Sequence, residues 1–259
     1  MATFLFNEII FGPVISRRLG ISLGINLLPN DSKFCNFNCI YCECGLTESS
    51  SFKQFKLHSR IEVKNALEEK LKLMQNNNKH LNTITFAGNG EPTLHPSFAE
   101  IIDDTIALRD TYYPDVAIAV LSNSTKLGSN KIFKALTKVE KNILKLDSAF
   151  EETLKIMNQP FNDFSIKEII KHLKRFEGNF ILQTMFIYGE FEGIKVDNTT
   201  DKEIEAWINI VSILNPKEVM IYTIERDTPY PDIFKVPKEK LKQIAEKVNN
   251  IGIATQISE

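Results

Sequence analysis

The feature that most limits what this chain can fold into is a group of four cysteines within ten residues. Cys35, Cys39, Cys42 and Cys44 are the only cysteines among its 259 residues. No apolar run reaches the roughly 20 residues that span a bilayer, and the first residues lack the basic stretch of a signal peptide. We therefore expect a cytoplasmic protein, in which disulfides are rare and bunched cysteines indicate a metal site.

The spacing of the cysteines favours an iron–sulfur cluster. Cys35-x3-Cys39-x2-Cys42 supplies three thiolates from one loop and leaves one iron of a four-iron cluster open to a substrate or cofactor. Structural zinc commonly takes two separated ligand pairs, and no second pair is present. Zinc and unligated thiols remain alternatives, and Cys44 is a bystander, a fourth ligand or a redox or hydrogen-donor group.

The rest of the chain alternates strand-like and helix-like segments, which predicts a parallel α/β sheet. The strand candidates are Ile21–Leu28, Thr83–Ala87, Val116–Leu121, Ile143–Asp147, Phe180–Ile187 and Val219–Ile224. The helix candidates are Glu62–Met74, Pro96–Arg109, Ser129–Thr137, Ile166–Phe176, Lys202–Leu214 and Pro237–Asn250. We predict one domain over 1–259, in which 1–19 form an N-terminal extension, 20–250 form six βα units and 251–259 form a short strand or tail.

Polar residues at alternate positions in the strands decide how the sheet curves. Ser22, Gly24 and Asn26 share one face of the first strand, and Lys145 and Asp147 share one face of the fourth. Parallel strands that helices cover on both faces are usually apolar throughout. Alternating polarity therefore predicts a curled, incompletely closed barrel around a wet or ligand-filled cavity. Isolated polar side chains with local hydrogen bonds are the alternative.

A second motif follows the second strand: Gly88-Asn89-Gly90-Glu91-Pro92. Active sites of α/β folds lie at the carboxyl ends of the strands, and glycines let the backbone approach a ligand closely. A carboxylate at this edge could bind an ammonium group. A tight strand-to-helix turn would explain the motif equally well.

The two motifs together resemble those of the radical S-adenosylmethionine (SAM) superfamily. Cys35-x3-Cys39-Ile40-Tyr41-Cys42 is similar to its cluster motif, with an aromatic residue before the third cysteine. The segment 88–92 looks like its Gly-Gly-Glu-Pro motif, with Asn89 replacing the first glycine of the pair. The resemblance implies a partial (β/α)6 barrel, TIM-like, with parallel strands and outer helices.

A narrower resemblance concerns the first third of the chain. Ser16-Arg17-Arg18-Leu19-Gly20, followed by Ser22-Leu23-Gly24 and the cysteine loop, is similar to the wyosine-biosynthesis-like branch of iron–sulfur oxidoreductases. Wyosine synthases carry cysteines for an extra cluster ahead of the main motif. No cysteine precedes Cys35 or follows Cys44 here, so a second cysteine-ligated cluster is not expected unless another chain supplies ligands.

The resemblance also implies cofactors and a reaction. Cys35, Cys39 and Cys42 would hold a [4Fe-4S] cluster whose open iron binds the amino and carboxylate groups of SAM. An electron from a flavodoxin- or ferredoxin-type reductant would cleave SAM to methionine and a 5′-deoxyadenosyl radical, which abstracts hydrogen from a substrate. The alternatives are an activase that makes a glycyl radical on a partner protein, a non-enzymatic iron–sulfur electron carrier or sensor, and a zinc-stabilised module.

Residues of the cysteine loop and the strand ends are the implied SAM contacts. Glu91 would bind the ammonium group, Tyr41 would pack near the adenine and Lys145 would pair with the carboxylate. The other implied contacts are Gly88, Asn89, Gly90, Ser122, Asn123, Asp147 and, more weakly, Gln183, Met185, Tyr222 and Thr223. A buried Lys145–Asp147 pair without a ligand and core roles for the weaker candidates are the alternatives.

Basic residues near the expected barrel mouth bear on the substrate. Arg17, Arg18, Lys33 and Arg226 could bind an anionic substrate such as a nucleotide, tRNA or phosphorylated metabolite, and surface solvation is the alternative. The net charge of −2 gives no general attraction to nucleic acid or to acidic membranes. The segment Tyr188–Asn198, with two glycines and three acidic residues, is a candidate lid.

Overall fold

The computed structural model describes residues 4–47 and 56–258. Residues 1–3, at the start of the segment in which no signal peptide is predicted, and residue 259 lie outside the described residues. Among the described residues, no helix combines the length and the apolar character needed to traverse a bilayer. The division of 1–259 as one domain stays a prediction.

Eleven strands form two sheets in the described chain. In chain order they are β1 (Ile10–Ser16), β2 (Gly20–Ile25), β3 (Thr83–Phe86), β4 (Ala117–Ser122), β5 (Lys141–Lys145), β6 (Ile181–Met185), β7 (Ile187–Phe191), β8 (Ile194–Asp197), β9 (Glu218–Tyr222), β10 (Ile233–Lys235) and β11 (Ala254–Ser258). The large sheet has the order β1-β2-β3-β4-β5-β6-β9-β11 and is parallel except for β1. It curls into a half-barrel, which confirms the predicted α/β fold class.

Helices cover the outside of this sheet. They are α1 (Arg60–Asn76), α2 (Phe98–Tyr112), α3 (Asn130–Leu136), α4 (Glu151–Asn158), α5 (Ile166–Lys174), α6 (Asp201–Leu214) and α7 (Lys238–Asn249). All six predicted helices are present, and α4 was not predicted. The side chain of Ser59 caps α1 and that of Thr200 caps α6, each accepting from a backbone N–H three residues on.

The two faces of the half-barrel differ as the alternating polarity predicts. Outward side chains such as Leu23 and Ile84 are fully buried in the main core that the helices cover. On the inner face, the hydroxyls of Ser22 and Thr85 are hydrogen-bonded to each other at 2.7 Å. The inner face therefore keeps polar groups beside a cavity, and the outer face supplies the apolar area that stabilises the fold.

Two parts of the fold differ from the prediction. Residues 10–16, predicted as part of an extension, form β1 at the edge of the large sheet. The candidate lid contains a β-hairpin, β7–β8, which pairs with β10 in a separate three-stranded sheet. Its side chains Phe191 and Val196 pack in one apolar cluster with Phe37 and Tyr41 of the cysteine loop, so this sheet supports the loop.

Candidate active site

The cysteine loop, residues 33–45, is hydrogen-bonded on two sides. Phe34 N donates to Asn89 O at 2.8 Å, and Phe34 O accepts from Glu91 N at 3.1 Å. On the other side, Ile40 N donates to Met157 O of α4 at 3.0 Å. The two sequence motifs are therefore in direct contact at the carboxyl edge of the parallel sheet.

Gly90 makes that contact possible. Its φ of +139° is one that L side chains rarely adopt, and a Cβ there would lie 2.0 Å from Phe34 O. A side chain at this position would separate the cysteine loop from the strand end. The glycine in the motif therefore serves the junction between the two loops.

The four thiols are free, with Cys35 and Cys39 buried and the other two partly exposed. Phe37 N donates to Cys35 Sγ at 3.4 Å, and Lys145 Nζ lies 3.2 Å from Cys39 Sγ. Within the described ranges, no three His, Cys, Asp or Glu side chains converge as a single metal ion requires. A four-iron cluster instead takes each thiolate on a different iron, and N–H groups aimed at the sulfurs are its usual surroundings, so the donor set fits that group.

Positive charge beneath the loop compensates the thiolates. Lys33, predicted at the barrel mouth, is instead buried, with Nζ donating to Gly45 O at 2.9 Å. Burial acts to lower the pKa of Lys33, but its interactions with Cys42, Cys35 and Cys39 outweigh burial and raise that pKa. A hydrogen bond from Cys44 and the nearby ammonium lower the pKa of Cys42 to about 5 despite its burial. Burial raises the pKa of Cys35 to about 12.

Glu91 is a buried carboxylate that only uncharged groups contact. Oε1 accepts from Thr93 N at 3.1 Å and from Ser122 Oγ at 3.0 Å, and Oε2 accepts from Asn123 N at 2.6 Å. Burial raises its pKa, and these hydrogen bonds act in the opposite direction. Among the described residues it has no cationic partner, so its negative charge is left without a counter-charge.

Asp147 is the second buried carboxylate of the site and has a counter-charge. Its Oδ2 lies 3.0 Å from Lys145 Nζ and accepts from Asn158 Nδ2 at 3.0 Å and from the Tyr41 hydroxyl. Burial acts to lower the pKa of Lys145, but Asp147 and Cys39 raise it. The structure thus brings Tyr41, Lys145 and Asp147 together in one buried network, in which Lys145 and Asp147 form an ion pair.

Asn89 and Thr223 use their side chains on the backbone. Asn89 Oδ1 accepts from Phe6 N and its Nδ2 donates to Phe6 O, both at 2.8 Å. Thr223 Oγ1 donates to Phe186 O and accepts from Val236 N, both at 2.9 Å. Both side chains therefore hold neighbouring backbone segments in place, and their contact with SAM stays a prediction.

The remaining candidates lie on the inner face. Gln183 Oε1 accepts from Arg18 Nη1 at 3.1 Å, and the Arg18 guanidinium carbon is 4.8 Å from the centre of the Tyr222 ring. Met185 packs in the apolar cluster that contains Cys35, Cys39 and Tyr41. Asn158, which bonds to Asp147, was not predicted, although its place two residues before Pro160 is typical of a helix end.

A cavity of about 400 Å³ opens inside the half-barrel beside these groups. Ser22, Gly24, Thr85 and Gly88 line it from the sheet. The cavity is completed by Phe6 and Phe11 of the N-terminal segment, by Cys44, and by the charged side chains of Arg17, Arg18, Glu43 and Arg226. Its volume falls within the range of small-molecule sites.

Comparison with known proteins identifies the relatives of this chain. The model of the radical SAM superfamily matches residues 30–195. A UPF0026 protein of Methanocaldococcus jannaschii is 30% identical over 248 residues, which cover 94% of this chain and 72% of that protein. A protein named GTPase Obg from Brachyspira hyodysenteriae is 30% identical over 223 residues, which cover 85% of this chain and 30% of that protein. The chain therefore spans less than a third of that relative.

Solved structures show the same fold. A radical SAM methyltransferase from Sphaerobacter thermophilus superposes with a TM-score of 0.68 at 14% identity, over 92% of this chain and 65% of that one. TYW1 with a lysine-pyruvate adduct bound superposes with a TM-score of 0.60 at 14% identity, over 88% of this chain and 73% of that one. With its motifs joined at one sheet edge, this chain belongs to the radical SAM superfamily and is a radical SAM enzyme related to the UPF0026 proteins.

Proposed function

We propose that Cys35, Cys39 and Cys42 hold one [4Fe-4S] cluster and that the enzyme abstracts hydrogen from its substrate after reductive cleavage of SAM. The cluster and SAM, when bound, supply a one-electron cleavage that yields methionine and a 5′-deoxyadenosyl radical. The observation that carries the proposal is the direct backbone pairing between the cysteine loop and the segment that bears Glu91.

The role of Glu91 in this proposal is to bind the ammonium group of SAM. A buried charge without a counter-charge is costly, and Glu91 is 2% exposed with no cationic partner among the described residues. An incoming ammonium would supply the missing charge. Ser122 and Asn123 would act through Glu91, because they donate the hydrogen bonds that orient its carboxylate.

Lys145 has a different role, since its charge is already paired. Its Nζ lies between Asp147 Oδ2 and Cys39 Sγ, at 3.0 and 3.2 Å. We assign it to stabilising the Cys39 thiolate and to fixing the loop, with Tyr41 and Asn158 completing the network. The hydrogen bonds and the positive charge around the sulfurs would tune the cluster potential.

The proposed reaction also requires a reductant and a substrate. A flavodoxin- or ferredoxin-type protein would supply the electron, approaching where Cys42 and Cys44 are partly exposed. The four free thiols suit a reducing compartment such as the cytoplasm. The substrate enters the cavity inside the half-barrel.

Anaerobic reconstitution tests the proposal. Wild-type protein should gain iron–sulfur absorbance, form 5′-deoxyadenosine after dithionite reduction with SAM, and change its electron spin resonance spectrum when SAM is added. Cys39→Ala should lose all three, whereas the matched variant Cys44→Ala, in the same loop, should retain the absorbance. Formation of 5′-deoxyadenosine at the Cys39→Ala level by the wild type would contradict the proposal. Loss of the absorbance in Cys44→Ala would make that cysteine a fourth ligand.

A further inference from the structure

Two consecutive arginines meet opposite surroundings at the turn between β1 and β2. Arg17 is exposed and forms an ion pair with Glu225 at 3.2 Å. Arg18 points into the half-barrel, where its guanidinium contacts Gln183 Oε1 and the Tyr222 ring. The Arg18 side chain is partly buried there, and burial lowers its pKa.

Two carboxylates near the cavity already form ion pairs with other arginines. Glu225 pairs with Arg17, and Glu43 pairs with Arg226 at 2.7 Å. In the part of the chain that the structure describes, Arg18 has no ion pair. The cavity lining thus holds three arginines and one glutamate. Among these described residues, Arg18 is the arginine that forms no ion pair with a carboxylate, and it lies on the inner face of the sheet.

The walls beside Arg18 are partly apolar. Phe6 and Phe11 are stacked with ring centres 3.6 Å apart, and Phe11 lies so close to the sheet that a Cβ on Gly24 would overlap its ring. Ser22 and Thr85, whose hydroxyls are hydrogen-bonded to each other, line the same cavity. A compact ligand with an apolar or ring portion and one anionic group fits this combination of surfaces.

We propose that Arg18 anchors an anionic group, a phosphate or a carboxylate, of the substrate inside the half-barrel. This inference rests on the proposed function, because the substrate is the molecule from which the enzyme would abstract hydrogen. It restricts that substrate to compact anions. Guanidinium forms paired hydrogen bonds with both groups. Gln183 is then a positioning residue, since its amide oxygen holds Nη1 and leaves the other guanidinium N–H groups for the anion.

Isothermal titration of the reconstituted protein with benzoate, phenyl phosphate and neutral benzyl alcohol tests this assignment. One or both anions should bind at a single site, and benzyl alcohol should bind at least tenfold more weakly. Arg18→Gln should weaken anion binding about 10- to 100-fold, the loss expected for a hydrogen bond to a charged group. Arg17→Gln, the matched surface variant, should stay within about twofold. Arg18→Lys, which keeps the charge, should recover part of the affinity.

Several outcomes would overturn the assignment. They are the absence of anion binding by the wild type, equal binding of benzyl alcohol, equal losses in the Arg17 and Arg18 variants, and displacement of the anion by SAM, which would place Arg18 in the SAM site. The wild-type comparison of anions with benzyl alcohol stands even if Arg18→Gln fails to fold. Because no reductant or turnover is involved, failure here is separate from failure of 5′-deoxyadenosine formation, which tests the proposed function.

Discussion

The two buried carboxylates at the strand ends, Glu91 and Asp147, differ in what balances their charge. Glu91 accepts hydrogen bonds from backbone amides and hydroxyls only. Asp147 has the Lys145 ammonium at 3.0 Å. Glu91 is therefore a carboxylate whose charge a cationic ligand could balance. The charge of Asp147 is already balanced within the protein, so its role is structural. The same criterion separates Arg18, which lies on the inner face without an ion pair, from Arg17, which is exposed and paired with Glu225.

The largest expected effect comes from breaking the balanced pair. Lys145→Met leaves Asp147 buried and unpaired, and we expect the free energy of unfolding to fall by about 3–5 kcal/mol. Urea denaturation of the cluster-free protein measures this. The double variant Lys145→Met with Asp147→Leu should recover a large part of the loss. A loss no larger than that of Lys155→Met, which breaks an exposed pair with Glu151, would show that the buried pair is not structural.

Neutralising the unbalanced carboxylate should act on the ligand. Glu91→Gln keeps the size of the side chain but removes its charge, and we expect SAM to bind about 10- to 100-fold more weakly, while the iron–sulfur absorbance is retained. Equilibrium dialysis with labelled SAM measures the change. Glu203→Gln is the matched control, because Glu203 is also buried and accepts from two hydroxyls, Ser148 and Thr153, away from the cysteine loop. Equal SAM affinity in wild type and Glu91→Gln would remove the ammonium role.

A smaller effect is expected from Asn89, which belongs to the same motif as Glu91. Asn89→Gly removes both side-chain hydrogen bonds to Phe6, so the Phe6 amide should lose about 1 kcal/mol or more of protection against hydrogen exchange. Amides of β4 provide the internal reference and should be unchanged. Unaltered exchange at Phe6 would mean that the N-terminal segment is held by its phenylalanine contacts alone.

The smallest expected effect is the contribution of His95 to the pH dependence of stability. Burial lowers the pKa of His95, whose Nδ1 accepts from Ser97 N at 3.1 Å while Nε2 donates to His58 O at 2.7 Å. Since the folded-state pKa lies below the unfolded value near 6.5, its contribution to stability is fully present above that pH and is lost as pH falls through the folded pKa. Urea midpoints should therefore decline with acidification below about pH 6.5, and less steeply in His95→Gln. Burial also lowers the pKa values of His58 and His172, so a residual slope should remain. Identical slopes would exclude a contribution from His95.

Most of the parallel strands were predictable because each has a simple local pattern. Residues such as Ile84 and Phe86 alternate with Thr83 and Thr85, and that alternation fixes which face packs against helices. Strand β1 was missed because Pro13 lies within it and its apolar residues do not alternate with polar ones. The β7–β8 hairpin was missed because its glycines and acidic residues are equally typical of a loop.

The site was predictable at the level of motifs and less so at the level of side chains. The cysteine spacing and the glycine motif identified two segments that do meet. What each side chain contacts depends on residues far away in sequence: Asn89 meets Phe6, 83 positions earlier, and Arg18 meets Gln183, 165 positions later. Charge balance is likewise a property of the assembled site, so no local pattern could distinguish Glu91 from Asp147 or Arg18 from Arg17.

The amide at position 89 offers a way to sort related sequences. A relative with glycine at the equivalent position lacks the side-chain amide that forms two hydrogen bonds with the Phe6 backbone here. In such chains the N-terminal segment should follow a different backbone path. The choice between asparagine and glycine should therefore vary together with the residues of that segment. A survey of aligned relatives for that paired variation would turn one pair of hydrogen bonds into a criterion for dividing the family.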